Sequence, residues 1–219
     1  MNDLEKYFRT NNERVMTKWS NYFDIYERHF SKFRNKEVTI LEIGVGFGGS
    51  LQMWKSYFGE KATIIGIDIE PICKTAEEKQ ITVVIGSQSD RYFLKELIKN
   101  IPKVDILIDD GGHMMDQQII SFEELFSSID ENGLYLCEDL CTSYWKEFDG
   151  GYKRPGTFIE YSKNFIDQLN VQHSRDNNHT INYFSESVES IHYYNNVLVI
   201  EKGNKGKPQV VFSGTIKYD

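Results

Sequence analysis

The sequence is poor in cysteine, in positive charge and in long apolar runs. Its three cysteines form no CxxC pair, which argues against a disulfide scaffold and suits a reducing cytoplasm. A net charge of −8, from 25 basic against 33 acidic residues, argues against a nucleic-acid partner. No stretch approaches the roughly 20 apolar residues that cross a bilayer, and residues 1–10 lack the apolar core of a signal peptide. We therefore expect a cytoplasmic protein without a membrane partner.

The length and composition of the chain predict one domain with a sizeable core. Hydrophobic residues make up 40% of its 219 residues and charged residues 26%, as in ordinary globular proteins. We divide this single domain, residues 1–219, into an N-terminal helical segment (1–37), an α/β core (38–200) and a polar tail (201–219). The tail is expected to be a surface extension or a subunit contact in a homo-oligomer.

Aromatic residues are concentrated ahead of the predicted core. Helical spacing places six of them on one stripe: Trp19, Tyr22, Phe23, Tyr26, Phe30 and Phe33. A stripe of this kind is usually core. It also suits a lid over a pocket or a dimer face, and the sequence leaves these alternatives open.

Short apolar runs alternate with stretches of helical spacing through the middle of the chain. Five runs read as strands, at residues 38–42, 62–68, 81–85, 104–108 and 133–137. They lack the alternation of half-exposed strands, which indicates a parallel sheet covered by helices on both faces. Further on, two strands around Asn195 and Asn196 indicate a hairpin at the sheet edge. The sequence predicts a doubly wound, mostly parallel, seven-stranded Rossmann-like α/β sheet with a C-terminal antiparallel hairpin strand.

The segment "LEIGVGFGGS" links the first predicted strand to a helix. Gly44, Gly46 and Gly49 have GxGxxG spacing, which lets a ligand approach the backbone and the N-terminus of the helix. Asp68 ends the second strand, where a carboxylate can accept hydrogen bonds from ribose hydroxyls. The pattern alone suits NAD, FAD and S-adenosylmethionine (SAM).

Glu42 favours SAM among these ligands. It places a carboxylate just before the first glycine, in the region where a dinucleotide carries its negatively charged pyrophosphate. SAM has no phosphate, and its sulfonium and ammonium groups are cationic. The alternative without a ligand is a simple strand-to-helix turn with Glu42 at a solvated strand end.

Two acidic turns follow strands four and five. Asp109, Asp110 and His113 end the fourth strand, and Glu138 and Asp139 end the fifth. Ligands of open α/β sheets bind at the carboxyl ends of the strands, where strands one, four and five are expected to be neighbours. Converging carboxylates require a cation or protons, and all-oxygen donors favour Mg²⁺, with Mn²⁺ or Ca²⁺ as alternatives. Each motif alone is also ordinary turn or helix-cap chemistry.

His113 is the candidate general base, because an imidazole accepts protons near neutral pH. The other four histidines, at positions 29, 173, 179 and 192, are expected to be ordinary core or surface residues.

Several motifs together resemble a known family. They are "LEIGVGFGGSLQMW", "IGIDIEP", "GSQSD", "VDILIDDGGHMMDQQIISFEELF" and "GLYLCEDLCTSYW". They resemble the macrocin and mycinamicin sugar O-methyltransferases and a wider group of bacterial class I SAM-dependent methyltransferases that includes cephalosporin-hydroxylase-like proteins. The resemblance covers roughly residues 17–151. The macrolide enzymes can carry an extra N-terminal domain, and Gly112 stands where serine is common.

The resemblance implies roles for particular residues. The divalent-metal ligands would be Asp110, Glu138 and Asp139, and His113 would be the general base. SAM would contact the residues at strand ends and in the glycine loop, Glu42, Gly44, Gly46, Asp68, Gln88 and Asp109. Tyr144 and Trp145 would flank the acceptor pocket.

The function expected from these features is metal-dependent methyl transfer from SAM to a hydroxyl of a sugar or other polyol-containing small molecule. Two other hypotheses remain, an NAD-dependent oxidoreductase and a non-catalytic SAM-binding protein. Glu42 and the second acidic turn argue against the first, and His113 with its carboxylates argues against the second.

Overall fold

A seven-stranded sheet forms the centre of the protein. The computed structural model describes residues 1–203, 206 and 208–215. Strand order is β3-β2-β1-β4-β5-β7-β6, with β1 to β5 parallel and β7 antiparallel to both β5 and β6. The strands are β1 Val38–Ile43, β2 Ala62–Asp68, β3 Ile81–Ile85, β4 Val104–Asp109, β5 Ile129–Cys137, β6 Val188–Tyr194 and β7 Val197–Lys202.

Helices cover both faces of this sheet. The α-helices in the described part of the chain are α1 Asp3–Thr10, α2 Tyr22–Phe30, α3 Gly49–Phe58, α4 Arg91–Asn100, α5 Met115–Leu125, α6 Phe158–Asn170 and α7 Tyr183–Ser187. Alternate residues of β1 point to opposite layers: Ile40 packs with α1, α2 and α3, whereas Leu41 packs with α4, α5 and α6. Because both faces are covered, every residue of β1 is buried, which explains its continuous apolar run.

The predicted fold class is confirmed, including the C-terminal hairpin. The fifth strand was predicted to start at residue 133, but β5 begins at Ile129. The first part of the strand gave no apolar pattern because Glu131 and Asn132 are exposed to solvent. α1 lies within the predicted N-terminal helical segment (1–37), whereas α7 was not predicted. The single-domain division stays a prediction, and part of the predicted tail (204, 205, 207 and 216–219) lies outside the described residues. No helix among the described residues is long and apolar enough to cross a membrane.

The aromatic stripe is mostly core. Phe23, Tyr26 and Phe30 of α2 are buried, and Phe30 stacks on Tyr26 with ring centroids 5.5 Å apart. Phe30 also contacts Trp54 of α3 edge-on at 5.6 Å. Trp19 differs, because it precedes α2 and its side chain is 53% exposed. The helix therefore joins the core along its whole length, and its N-terminal end also approaches the carboxyl ends of the strands.

Phe30→Ala should destabilise the protein by about 3–5 kcal/mol, because it empties the centre of this aromatic cluster. Tyr92→Ala, at a side chain that is 75% exposed, is the control and should change stability by no more than about 0.5 kcal/mol. Urea unfolding measures both. Equal effects of the two substitutions would show that α2 is not part of the core.

Candidate active site

A cavity of about 670 Å³ opens at the carboxyl ends of β1, β2, β4 and β5. This volume is in the range of small-molecule sites, and the position is the usual one in open α/β sheets. Eight predicted site residues line it: Gly44, Gly46, Asp68, Gln88, Asp110, His113, Glu138 and Asp139. Residues 15–19 of the N-terminal segment form the opposite wall.

The glycine loop is pressed against the first acidic turn. Gly44 has a φ of +92°, and a Cβ there would lie 2.0 Å from the carbonyl oxygen of Asp110. Gly46 also has a positive φ, +52°, but a Cβ there would meet no described atom within 4 Å. Gly44 is therefore required by both conformation and space, whereas Gly46 leaves room beside the cavity.

Asp68 holds the glycine loop in place. Its Oδ2 accepts hydrogen bonds from the amides of Val45 (2.8 Å) and Gly46 (3.0 Å), and its Oδ1 accepts one from Glu70 (2.9 Å). Burial alone would raise the pKa of Asp68. The hydrogen bonds from these three amides outweigh that effect and hold the pKa below its ordinary value. The carboxylate is thus ionised and shapes the cavity wall. Its contact with a ribose stays a prediction.

Glu42 and Asp109 lie behind the cavity wall, fully buried. Ser50 donates to Glu42 Oε2 at 2.9 Å, while Glu42 Oε1 has no hydrogen-bond partner among the described residues. Burial raises the pKa of Glu42 to about 7. Direct contact of either residue with a cofactor stays a prediction, and the geometry favours a supporting role.

Asp109 supports the turn that carries His113. Its carboxylate accepts hydrogen bonds from the hydroxyl of Ser121 and from Gln88 Nε2, the latter at 3.2 Å. Gln88 Oε1 in turn accepts from the amide of Gly112 at 2.7 Å. Gln88 therefore connects the loop after β3 to the turn after β4.

A lysine that the sequence analysis missed stands among the acidic residues. Lys18 Nζ lies 2.5 Å from Asp110 Oδ2 and 2.9 and 3.0 Å from the two oxygens of Glu138. Glu42 Oε1 is 3.8 Å away. The Lys18 side chain is only 2% exposed. These carboxylates therefore already hold a cation, the ammonium of the chain itself.

Lys18 and the acidic residues around it shift each other's pKa values. Burial raises the pKa of Glu138 to about 8, and the charge of Asp110 raises it as well, while Lys18 and Tyr26 act in the opposite direction. Burial alone would lower the pKa of Lys18. The negative charges of Asp110, Glu138 and Glu42 outweigh that effect and hold the pKa above its ordinary value. One ammonium therefore faces three carboxyl groups, of which Glu138 and Glu42 are held partly protonated, so a metal ion that binds there displaces protons or the Lys18 ammonium.

Asp139 receives hydrogen bonds from three separate elements. Its Oδ1 accepts from Tyr22 Oη (2.6 Å), Trp19 Nε1 (2.9 Å) and Asn196 Nδ2 (3.1 Å). Its other oxygen, Oδ2, lies 3.6 Å from His113 Nε2. The N-terminal segment, α2 and the β6–β7 turn together aim this carboxylate at the histidine.

Asp110, His113 and Asp139 come together as a possible ion site. One donor atom of each lies within 4.8 Å of the others, and His113 Nε2 is 3.7 Å from Asp110 Oδ1. Glu138 lies outside this trio, because it shares Lys18 with Asp110 and accepts from Tyr26 Oη at 2.7 Å. His113 and Asp139 both have positive φ, +56° and +54°. Non-glycine residues held in this region occur often at functional sites.

The predicted acceptor residues lie beside the cavity rather than in its wall. Tyr144 and Trp145 are 49% and 42% exposed. Trp145 contacts Phe148 (5.9 Å between ring centroids), and Phe148 contacts His113 (6.5 Å). A row of aromatic rings therefore leads from the surface to the histidine. The acceptor role of the first two stays a prediction.

Comparison with known proteins identifies relatives with the same motifs. Demethylmacrocin O-methyltransferase of Streptomyces fradiae is 41% identical over 190 residues, 81% of this chain and 47% of the relative. The 8-demethyl-8-alpha-L-rhamnosyl tetracenomycin-C 2'-O-methyltransferase of Streptomyces olivaceus is 36% identical over 196 residues, 84% and 51% of the two chains. This chain is a homologue of sugar O-methyltransferases. It spans about half the length of the curated relatives it matches. No family model matches.

Solved structures of a methyltransferase share the fold. MycE methyltransferase from the mycinamycin pathway, in complex with Mg, SAH and mycinamycin VI, superimposes with a TM-score of 0.80 at 34% identity, over 92% of this chain and 53% of that one. A putative caffeoyl-CoA O-methyltransferase from Staphylococcus aureus, at 14% identity and a TM-score of 0.57, shares the fold alone. The fold of this sugar O-methyltransferase homologue is therefore that of a class I methyltransferase.

Gly44→Ala should destabilise this homologue by at least about 2 kcal/mol, because the added Cβ collides with the backbone of Asp110 at an unfavourable φ. Gly46→Ala has the positive φ without the collision and should cost only about 1 kcal/mol. Urea unfolding compares them. If Gly44→Ala were no worse than Gly46→Ala, the close contact between the glycine loop and the acidic turn would be wrong.

Proposed function

We propose that this protein transfers the methyl group of SAM to a hydroxyl of a sugar or other polyol-containing small molecule, in the cytoplasm and with the help of a divalent cation. The observation that carries the proposal is the cluster of Asp110, His113 and Asp139 in the cavity bounded by the glycine loop. Named sugar O-methyltransferases among its relatives support the acceptor class. Free thiols at all three cysteines suit a reducing compartment.

The proposed reaction breaks the S–CH₃ bond and forms an O–CH₃ bond. The sulfur keeps the electron pair and becomes the thioether of S-adenosylhomocysteine (SAH). The proton of the hydroxyl passes to His113 Nε2, which Asp110 and Asp139 flank at 3.7 and 3.6 Å. These carboxylates also stabilise the imidazolium that forms, and it later releases its proton to solvent.

The acidic cluster fits a magnesium ion, because its donors are carboxylates and they already hold a cationic ammonium. Asp110 and Asp139 would hold the ion, with Glu138 as the third ligand once Lys18 is displaced. When bound, such an ion acidifies and orients the hydroxyl that attacks the methyl group. A complex of the similar MycE methyltransferase contains both Mg and SAH, which supports this pairing.

The acceptor pocket is proposed to lie on the His113 side of the cavity. Phe148 reaches His113, and Tyr144 and Trp145 extend this apolar wall to the surface, where rings can stack on a sugar. The alternative of an NAD-dependent oxidoreductase fits less well, because the acidic groups around Lys18 and the carboxylates of Asp110 and Asp139 leave no basic site for a pyrophosphate among the described cavity residues.

His113→Gln should reduce methyl transfer by about 10²–10⁴-fold while leaving SAH binding intact, because it removes the proton acceptor and not the cofactor pocket. Transfer is measured as SAH release from SAM with Mg²⁺ and either demethylmacrocin or methyl α-L-rhamnoside as acceptor. Calorimetry with SAH and with NAD reports on the pocket.

Asp110→Asn and Asp139→Asn should abolish the dependence on Mg²⁺ together with most of the turnover. Glu96→Gln, an exposed acid on α4, is the matched control and should keep full rate.

Full activity of the His113→Gln variant would remove the histidine from the mechanism. Binding of NAD instead of SAH would refute the methyltransferase assignment.

Lys18→Met should tighten Mn²⁺ binding by about tenfold, because the ammonium occupies two of the proposed ligands and repels a divalent ion. Without metal, the same variant should unfold at a lower temperature, since the buried carboxylates lose their counter-charge. Electron paramagnetic resonance of free Mn²⁺ gives the affinity. Lys103→Met, at an exposed ion pair far from the cavity, is the control. Unchanged or weaker Mn²⁺ binding by Lys18→Met would mean that lysine and metal do not compete.

A further inference from the structure

A second cluster of ligand-type residues lies outside the cavity. His29 is in the last turn of α2, His192 is on β6 and Glu201 is on β7. One donor atom from each residue lies within 4.8 Å of the others. We call these three residues the His29 cluster. The methyl-transfer reaction does not use them.

Their separations suit tetrahedral coordination. Nδ1 of His29 lies 3.2 Å from Glu201 Oε1, and Nε2 of His192 lies 3.7 Å from Glu201 Oε2. Donors bound to zinc at about 2.0–2.1 Å in a tetrahedron are about 3.4 Å apart. The two imidazole rings meet edge-on, with centroids 4.8 Å apart and an interplanar angle of 60°.

The outer contact of His29 is of the kind that metal-bound histidines make. Histidine ligands usually hydrogen-bond through their second ring nitrogen, which fixes the ring orientation. In this protein His29 Nε2 lies 2.8 Å from the hydroxyl of Tyr194. Tyr194 is on the same face of β6 as His192, two residues along the strand. For His192 the contact is on the proposed ligand atom itself: Ser190 Oγ lies 2.9 Å from Nε2 and 3.4 Å from Glu201 Oε2, so zinc would have to displace this hydroxyl.

The protonation states also suit a cation. Burial lowers the pKa of His29, which favours the neutral imidazole, and Nδ1 would coordinate once the proton it shares with Glu201 has moved to Nε2. Burial alone would raise the pKa of Glu201. Hydrogen bonds from His29 and Lys32 outweigh that effect and hold the pKa below its ordinary value, so the carboxylate is ionised. Lys32 Nζ lies 3.1 Å from Glu201 Oε1, and its side chain is 46% exposed and free to swing away.

We propose that His29, His192 and Glu201 bind Zn²⁺ and fasten α2 to the β6–β7 hairpin. Two histidines and a glutamate are a zinc donor set, and they come from three different elements. α2 also carries Tyr22 and Tyr26, whose hydroxyls bond Asp139 and Glu138, and the hairpin turn supplies Asn196 to Asp139. His29 is about 10 Å along the helix from Tyr22. The ion would therefore fix the frame that positions the acidic cluster.

The test uses the 219-residue chain, treated with a chelator and free of SAM and SAH. Zn²⁺ at 100 times its Kd should raise Tm by about 5–10 °C. Co²⁺ should give visible d–d absorption typical of a tetrahedral nitrogen and oxygen site. His192→Gln and Glu201→Gln should each lose most of the Tm shift and the absorption. These two residues are partly exposed, so their variants are expected to fold.

Two further variants separate this site from its alternatives. Lys32→Met should bind Zn²⁺ several-fold more tightly, because the substitution removes an ammonium that competes for Glu201. If the three residues formed only a hydrogen-bond network, the same substitution would lower stability without a change in Zn²⁺ binding. Asp139→Asn tests whether zinc binds beside His113 instead, and His173→Gln, at an exposed histidine, is the matched control. Both should keep the full Tm shift. The proposal is overturned if zinc does not move Tm, or if the shift survives in His192→Gln and Glu201→Gln. Neither result bears on methyl transfer, which is measured with Mg²⁺.

Discussion

The electrostatic balance around Lys18 is the constraint on which the rest of the structure depends. Three buried or half-buried carboxylates, from the ends of three parallel strands, surround one ammonium. Buried charges destabilise a fold unless they are paired and hydrogen-bonded, and a divalent ion in place of the ammonium would satisfy the same carboxylates. The N-terminal segment is held over the sheet by this pairing, and it forms one wall of the cavity as a consequence.

Elements far apart in sequence converge on the second acidic turn for a related reason. Asp139 is in a left-handed conformation, and hydrogen bonds from Trp19, Tyr22 and Asn196 hold it there. Backbone strain of this kind persists only where the surrounding contacts fix the residue. The aromatic packing of α2 against α3 keeps the tyrosine in position, so the core and the site share one helix. Stability and proposed chemistry are therefore coupled through α2.

Much of the fold follows from local patterns, whereas part of the site does not. Strand runs, the glycine spacing and the acidic strand ends predicted the sheet and the place of the cavity, because these signals lie within a few residues of each other. Lys18 lies in a short stretch without a recognisable motif. It is 120 positions from Glu138 in the sequence, and only the fold brings the two side chains together. The pairing of His29 with His192 is equally long-range, and isolated histidines carry no local signal. Glu42 is buried because β1 is covered on both faces, so it is not at a solvated strand end, and its predicted contact with the cofactor stays a prediction.

The most direct test is a crystal structure of the chain with Mn²⁺ and SAH, with the manganese located by its anomalous scattering. We predict a peak within coordination distance of Asp110 and Asp139, SAH in the glycine-loop cavity, and the Lys18 ammonium displaced from Asp110. If SAH is bound but manganese is absent from this position, with Lys18 still on Asp110 and Glu138, the acidic cluster does not serve a metal.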